Sequence, residues 1–276
     1  MKRIIALLLA LLMLAGWALA EEEEAGRGVI VFPEEELAAS DGTEKLPPES
    51  APSAPSAPME PNRTILGSDD RIRVGDTWQY PYSAIAYIVG KYGCGCRWNS
   101  SGFMVTRDTL MTAAHCLVCQ EHNQWATNMT FYFGYISDNS YFYKYDTDWT
   151  AYVGTMFPDG YTSVNDWGFV HFKYDVGDST GWFGMRFLND SDLESGWYTV
   201  AGYRDGQLKY DTGPVFVIDA DRMWIDADIM PGNSGCPVFD SENYAVGLFT
   251  TYYDNANSGF RLNSKIRDKL VADGLL

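Results

Sequence analysis

From about Thr64 to its end the chain is a succession of short runs dense in β-branched and aromatic residues. They read SAIAYIVGKY, SGFMVTRDTLMTAA, MTFYFGYI, WTAYVGTMF, WGFVHFKY, WYTVAGY, GPVFVIDADRMWIDADI and YAVGLFTTYY. Gly, Asn, Asp and Pro separate them at the intervals of hairpin turns. Many alternate apolar and polar residues, the period of a strand with one buried face. No internal repeat is evident. Serial strands of this kind bury their apolar faces by curling into barrels or stacking as a sandwich. An all-β fold is therefore expected, with one helix at the end, in NSKIRDKLVADGLL. Asn263 or Ser264 can cap that helix, and Ile266, Leu270 and Val271 share a face.

The chain before this region has a different character. Lys2 and Arg3 precede an apolar run from Ile4 to Leu14, and Ala18–Ala20 offers a small-residue cleavage site. Residues 1–20 thus have the layout of a secretory signal peptide, and the run is short for a membrane span. Residues 21–64 open on EEEE and contain PPESAPSAPSAPMEP. Such a segment buries too little apolar surface to offset its chain entropy, so a linker or a removable pro-segment is expected. Its acids contribute much of the net charge of −17, and residues 65–276 are acidic as well. That balance argues against nucleic acid or an anionic membrane as partner. The mature protein is expected outside the cell, free of the membrane once the signal is removed.

Five cysteines stand in the chain: Cys94, Cys96, Cys116, Cys119 and Cys236. In an exported protein four of them can form two bridges and leave one thiol. The grouping CGC…HCLVC also fits a zinc site, since closed zinc sites use Cys and His. Export makes disulfides the simpler expectation, and no metal or other cofactor is expected.

His115, in LMTAAHCLVC, is one of only three histidines. Acyl transfer by a serine needs a hydroxyl beside a base, a carboxylate that orients the base, and backbone donors for the oxyanion. MPGNSGCPVF supplies Ser234 between glycines, where Gly232 lets its own N–H and that of Ser234 point at one oxygen. SVNDWGFVHF supplies Asp166 ahead of an apolar strand. Asp148, in TDWT, lacks the apolar continuation that would bury a carboxylate behind an imidazole. His122 and His171 lack the context of His115 and read as ordinary surface or strand residues.

TAAHC, NDWGFV and GNSGCPV, in the order His, Asp, Ser, resemble the chymotrypsin-like serine proteases. With the opening ILGSDDRIRVGDTWQYPYSAIAYI, they resemble most the bacterial glutamyl endopeptidase branch, over essentially all of Ile65 to the C-terminus. The resemblance implies two six-stranded antiparallel β-barrels, about 80–175 and about 176–262, with the C-terminal helix at 263–276. It implies His115 as general base and Asp166 as its orienter on the first barrel, and Ser234 as nucleophile on the second. Gly232 and Ser234 would form the oxyanion hole. A monomer acting on protein or peptide substrates is expected. The resemblance also supports a bridge beside His115. Cys94 and Cys96 are expected to pair with Cys116 and Cys119 in an order left open, with Cys236 as a buried free thiol.

Specificity does not carry over. The branch reads glutamate with a histidine and a threonine where this chain has Phe249 and Ile229. Asp228 falls where trypsin-like enzymes carry their pocket aspartate, and Asn233 replaces the aspartate that pairs with a new N-terminus in the animal enzymes. Asp228, Ile229, Phe249, Thr250, Thr251 and Arg261 are expected to line the pocket. An Asp228–Arg261 pair would suit a large apolar side chain, with glutamate next and basic residues last. Two rivals stand beside the endopeptidase: an inactive protease-like binding protein and an esterase-type hydrolase. The first would have lost a member of the triad. The second would carry G-x-S-x-G, where this chain has Cys236 at the last position.

Overall fold

The computed structural model describes residues 65, 68–153, 165–253, 256–272 and 274. The expected signal peptide and pro-segment lie outside the described residues. Along the chain come β1 (Ile72–Arg73), β2 (Ile85–Tyr92), β3 (Arg97–Met104), β4 (Thr109–Thr112) and β5 (Val118–Cys119). Then follow β6 (Gln124–Phe133), β7 (Tyr143–Tyr145), β8 (Trp149–Val153) and β9 (Gly168–Phe172). Two short helices, α1 (Gly177–Thr180) and α2 (Asp190–Glu194), flank β10 (Gly184–Met185). The remainder is β11 (Tyr198–Arg204), β12 (Gln207–Gly213), β13 (Val215–Val217), β14 (Arg222–Ile225) and β15 (Pro237–Phe239). β16 (Tyr244–Tyr253), β17 (Ala256–Arg261) and the final helix α3 (Ser264–Ala272) close the order.

These strands form two curled sheets. The first has the order β5-β6-β2-β3-β4-β9-β8, with β7 on β6; the second runs β1-β12-β11-β15-β16-β17-β14-β13, with β10 on β16. Set aside the two- and three-residue pieces β5 and β7, and the first sheet is six strands. In the second, β12 and β13 are one strand interrupted at Pro214, which has no N–H for the ladder. Since β12 and β13 stand toward opposite ends of the sheet order, their continuity closes the second sheet on itself. The expected all-β pair of barrels is the fold observed.

Burial follows the sequence pattern where one face meets solvent. β2 alternates buried and exposed residues toward its end, whereas the second half of β3, Ser100–Met104, is buried on both faces because it runs between the halves. One core gathers Ile85, Ile88, Phe103, Phe131, Phe133 and Phe169, and extends through Phe183, Phe239 and Phe260 into the second sheet. A second packs Tyr198, Val200, Val215, Met223, Ile225, Val238 and Phe249 inside the second barrel.

The final helix is capped as read: Asn263 Oδ1 accepts from Lys265 N (3.1 Å) and Ile266 N (3.4 Å). Ile266 and Leu270, one turn apart, are buried, but Val271 is 59% exposed. It lies about 100° round the helix from Leu270, which takes it off the buried face. The short helices α1 and α2 were not expected.

Candidate active site

β4 and β9 are antiparallel neighbours, with Thr112 opposite Gly168. His115 comes three residues after Thr112, in a single 3-10 turn at Ala114–Cys116, and Asp166 comes two residues before Gly168. The ladder therefore delivers both side chains to the same end of the first sheet. Asp166 is fully buried and spends both oxygens on one residue: Oδ2 lies 2.7 Å from His115 Nδ1, and Oδ1 accepts the His115 backbone N–H at 2.8 Å. That pair of bonds fixes the imidazole's direction and assigns the Nδ1 proton, leaving Nε2 to accept another. Tyr92 Oη donates to the His115 carbonyl at 2.5 Å and pins the turn from its far side. Desolvation pulls the His115 pKa down, but the Asp166 carboxylate, helped by Cys116, outweighs it and holds it well above the ordinary imidazole value.

Ser234 lies in the Met230–Cys236 loop just before β15. This loop is pressed flat against the first sheet. Its carbonyl accepts from Ser101 N (2.9 Å), and Ser101 Oγ donates to Gly232 O (3.2 Å) while accepting from Tyr203 N (2.8 Å). Gly235 sits at φ +81, and a Cβ there would come within 2.2 Å of Thr112 Oγ1, 2.4 Å of Ser101 O and 2.8 Å of Ala113 N. Only glycine lets the loop approach the strand that leads into His115. Asn233 locks the loop internally, accepting from Met230 N (2.9 Å) and donating to Tyr203 O (3.3 Å). Asn233 N, Gly235 N and Cys236 N are spent on Met230 O, Phe249 O and Asn233 O. Among the described residues, no hydrogen bond uses the N–H of Gly232 or of Ser234, and none joins Ser234 Oγ to His115. The arrangement offers an oriented base, a half-buried hydroxyl on the facing sheet, and two uncommitted donors beside it.

The expected pocket residues fare unevenly. Ile229, Phe249 and Thr250 are buried, and Phe249 is bonded through its backbone to both Gly235 and Cys236, which sets β16 behind the loop. Thr251 follows, half-buried. The Asp228–Arg261 pair is not formed. Arg261 instead donates to Asp190 Oδ1 (2.6 Å), at the start of α2, and to Leu188 O (2.8 Å), just before it, while Asp228 accepts from Asp70 N (3.3 Å). A cation passed over in the sequence, Arg71, has a side chain only 5% exposed, with Nη2 on Met230 Sδ (2.7 Å) and its Nε and Nη2 on Asp69. Arg71 holds the Asp69 carboxyl down at about 2. Ser101 was passed over too, since nothing marks one serine in a strand as the stitch between two sheets. Asp148, which lacks an apolar continuation, stays at the surface near Lys173.

The cysteines depart from expectation. All five are free thiols, and the expected double bridge is not formed. Cys116 is turned inward, its Sγ 4.0 Å from Ser234 O, whereas Cys94, Cys96 and Cys119 gather around His122. Cys236 is buried, and burial pushes its thiol pKa far up.

A trypsin-like peptidase domain matches residues 100–248, more than half of the chain, and the chain belongs to that family of peptidases, whose substrates are proteins or peptides. Among characterised relatives it is 29% identical over 227 residues to the glutamyl endopeptidase of Bacillus licheniformis, covering 76% of this chain and 68% of that one. It is 28% identical over 218 residues to an extracellular metalloprotease of Bacillus subtilis, covering 74% and 67%. Among solved structures, a Glu endopeptidase in complex with MPD superposes with a TM-score of 0.68 at 19% identity, covering 76% of this chain and 99% of that one. The protease Anisep from Arthrobacter nicotinovorans gives 0.60 at 22%, covering 70% and 95%. The two structures share its fold.

Proposed function

We propose that the chain is a secreted, monomeric serine endopeptidase. Residues 1–20 are its signal peptide, 21–64 a segment outside the fold, and 65–276 the peptidase domain. The observation that carries the reading is Asp166 holding His115 by two bonds, opposite a serine whose loop keeps two N–H groups uncommitted. His115 Nε2 takes the Ser234 proton as Oγ attacks the scissile carbonyl, and the N–H groups of Gly232 and Ser234 receive the oxyanion. The imidazolium then protonates the leaving amine, giving an acyl-enzyme. Water, deprotonated by the same histidine, releases the acid. Extracellular action is supported by the B. subtilis relative's name and by the leader-like first twenty residues.

The name of that relative also raises metal-dependent hydrolysis. Among the described residues the potential metal-binding groups are Cys94/Cys96/Cys119/His122 and Asp70/Asp211/Asp228, and neither includes His115 or Ser234. A fluorophosphonate probe separates the readings. It should label the wild type at Ser234 and abolish casein hydrolysis, and Ser234→Ala should be unlabelled and inactive though folded. Hydrolysis surviving in purified Ser234→Ala would sink the assignment. For the residue before the scissile bond, the name of the B. licheniformis relative supports glutamate first.

A further inference from the structure

Two turns of the first barrel carry the three clustered cysteines. Cys94 and Cys96 lie in the turn between β2 and β3, Cys119 ends β5, and His122 lies in the turn from β5 to β6. β6 brings the turns together, because it pairs with β2 and with β5 and its Trp125 carbonyl accepts from Gly93 N at 2.9 Å. Gly95, at φ +94 with Gly95 N bonded to Tyr92 O, curls the C-G-C backbone so that both sulfurs turn the same way. Asn123 N bonds Cys119 O at 2.8 Å and curls the second turn to bring His122 back over Cys119.

The outcome is four donor atoms, three Sγ and one imidazole nitrogen, all within 4.8 Å of one another. His122 Nδ1 lies 3.5 Å from Cys119 Sγ and 3.8 Å from Cys96 Sγ. A tetrahedral zinc with bonds of about 2.3 Å to sulfur and about 2.0–2.1 Å to nitrogen needs sulfur–nitrogen edges of about 3.6 Å. It needs sulfur–sulfur edges of about 3.8 Å. The observed edges bracket the first value. Three soft sulfurs with one imidazole are a donor set that selects zinc among the common divalent ions.

Disulfide chemistry fits less well. Two bridges need four thiols, and the fourth nearby, Cys116, is buried with its sulfur toward Ser234 O. A single bridge among Cys94, Cys96 and Cys119 would leave a thiol and an imidazole stranded in the same cluster. We propose that Cys94, Cys96, Cys119 and His122 bind one zinc ion as a closed structural site. Four protein donors complete its tetrahedron and leave no position for a reacting water. The site staples the β2–β3 turn to the segment that carries His115, four residues before Cys119. Tyr92, just ahead of that turn, already bonds the His115 carbonyl. The ion is thus a positioning device for the base. Its presence stands apart from the reaction; only its effect on turnover rests on the serine peptidase reading.

The test is the full chain, secreted, purified without chelator and assayed for metal and for thiols. One zinc per chain is expected in the wild type and in Cys236→Ala, and loss of zinc in Cys119→Ser and His122→Ala. Cobalt in place of zinc should give the visible bands of a tetrahedral thiolate site. If the ion positions the base, chelation lowers kcat more than it raises KM, and zinc, cobalt or cadmium alike restores it. A wild-type protein without zinc overturns the proposal, whether its cysteines appear as a mapped disulfide or as free thiols. Zinc retained in full by both ligand variants overturns it as well. Zinc present in a chain that no fluorophosphonate labels would leave the site standing and remove the proposed reaction instead.

Discussion

Both Asp166 oxygens face His115, one accepting from its ring and one from its backbone, so an amide there has to present its NH2 to a group that itself donates. Asp166→Asn is expected to cut kcat by about 10⁴-fold, the scale set by losing the tautomer of a catalytic imidazole. Asp148→Asn, with its carboxylate at the surface near Lys173, should leave kcat unchanged. The pH profile gives the same interaction a second readout. Asp166 outweighs desolvation and raises the His115 pKa, and a general base works only when neutral. Activity should therefore be lost as pH falls through that raised value, giving an alkaline optimum. In Asp166→Asn the residual activity should keep its plateau to lower pH. The linked stability runs the other way: it is complete below the ordinary imidazole pKa and is lost as pH rises through the folded one. Gly235→Ala tests the approach of the loop. Its methyl would meet Thr112, the Ser101 carbonyl and the Ala113 amide at a positive φ, so the loop has to withdraw and carry Ser234 away from His115. Fluorophosphonate labelling should slow severely, and the denaturation midpoint should fall with a loss of at least about 1 kcal/mol.

At the scale of elements, the final helix offers a direct measurement. Asn263→Ala removes the acceptor for Lys265 N and Ile266 N together with the donor to Ala220 O and Asp221 Oδ1, and should cost more than the about 1 kcal/mol of a cap alone, read as a lower denaturant midpoint with unchanged slope. The Asn263 cap was legible because a polar residue stands directly before a run of good helix formers. The longer strands were legible by alternation, and the motifs around His115 and Asp166 pointed to the contact that the two residues make. Helices α1 and α2, four and five residues long, are too short to show a helical period, and missing α2 had a consequence. Arg261 was expected to line the pocket, where it could pair with Asp228, but the Asp190 carboxylate and Leu188 carbonyl beside α2 take its guanidinium instead. The cysteine arrangement was less legible. The resemblance grouped Cys116 with Cys119 in two bridges to Cys94 and Cys96, which are not formed, whereas His122 is exposed as expected. The strand β6, by pairing with both β2 and β5, puts His122 against Cys96 and leaves Cys116 on the inner side.

Across the whole molecule, the start of the mature chain is constrained by β1. Ile72 and Arg73 pair with β12, and Val74 N bonds Leu208 O, so the segment entering the fold is an edge strand of the second barrel. N-terminal sequencing of the active protein should therefore find a start near Ile65, after a cut by Arg63. A start at Glu21 would refute that, and a cut beyond Arg71 would strip β1 and destabilise the second barrel. The division of labour between the barrels also carries a meaning for biosynthesis. His115 and Asp166 leave the ribosome well before Ser234, and Ser234 becomes useful only once Ser101 and Thr112 of the earlier half can receive its loop. On the serine peptidase reading, a nascent chain, a stalled product or a fragment clipped between the halves would carry half a catalyst and cut nothing. The reaction proposed for this chain therefore needs both halves made, folded and in contact.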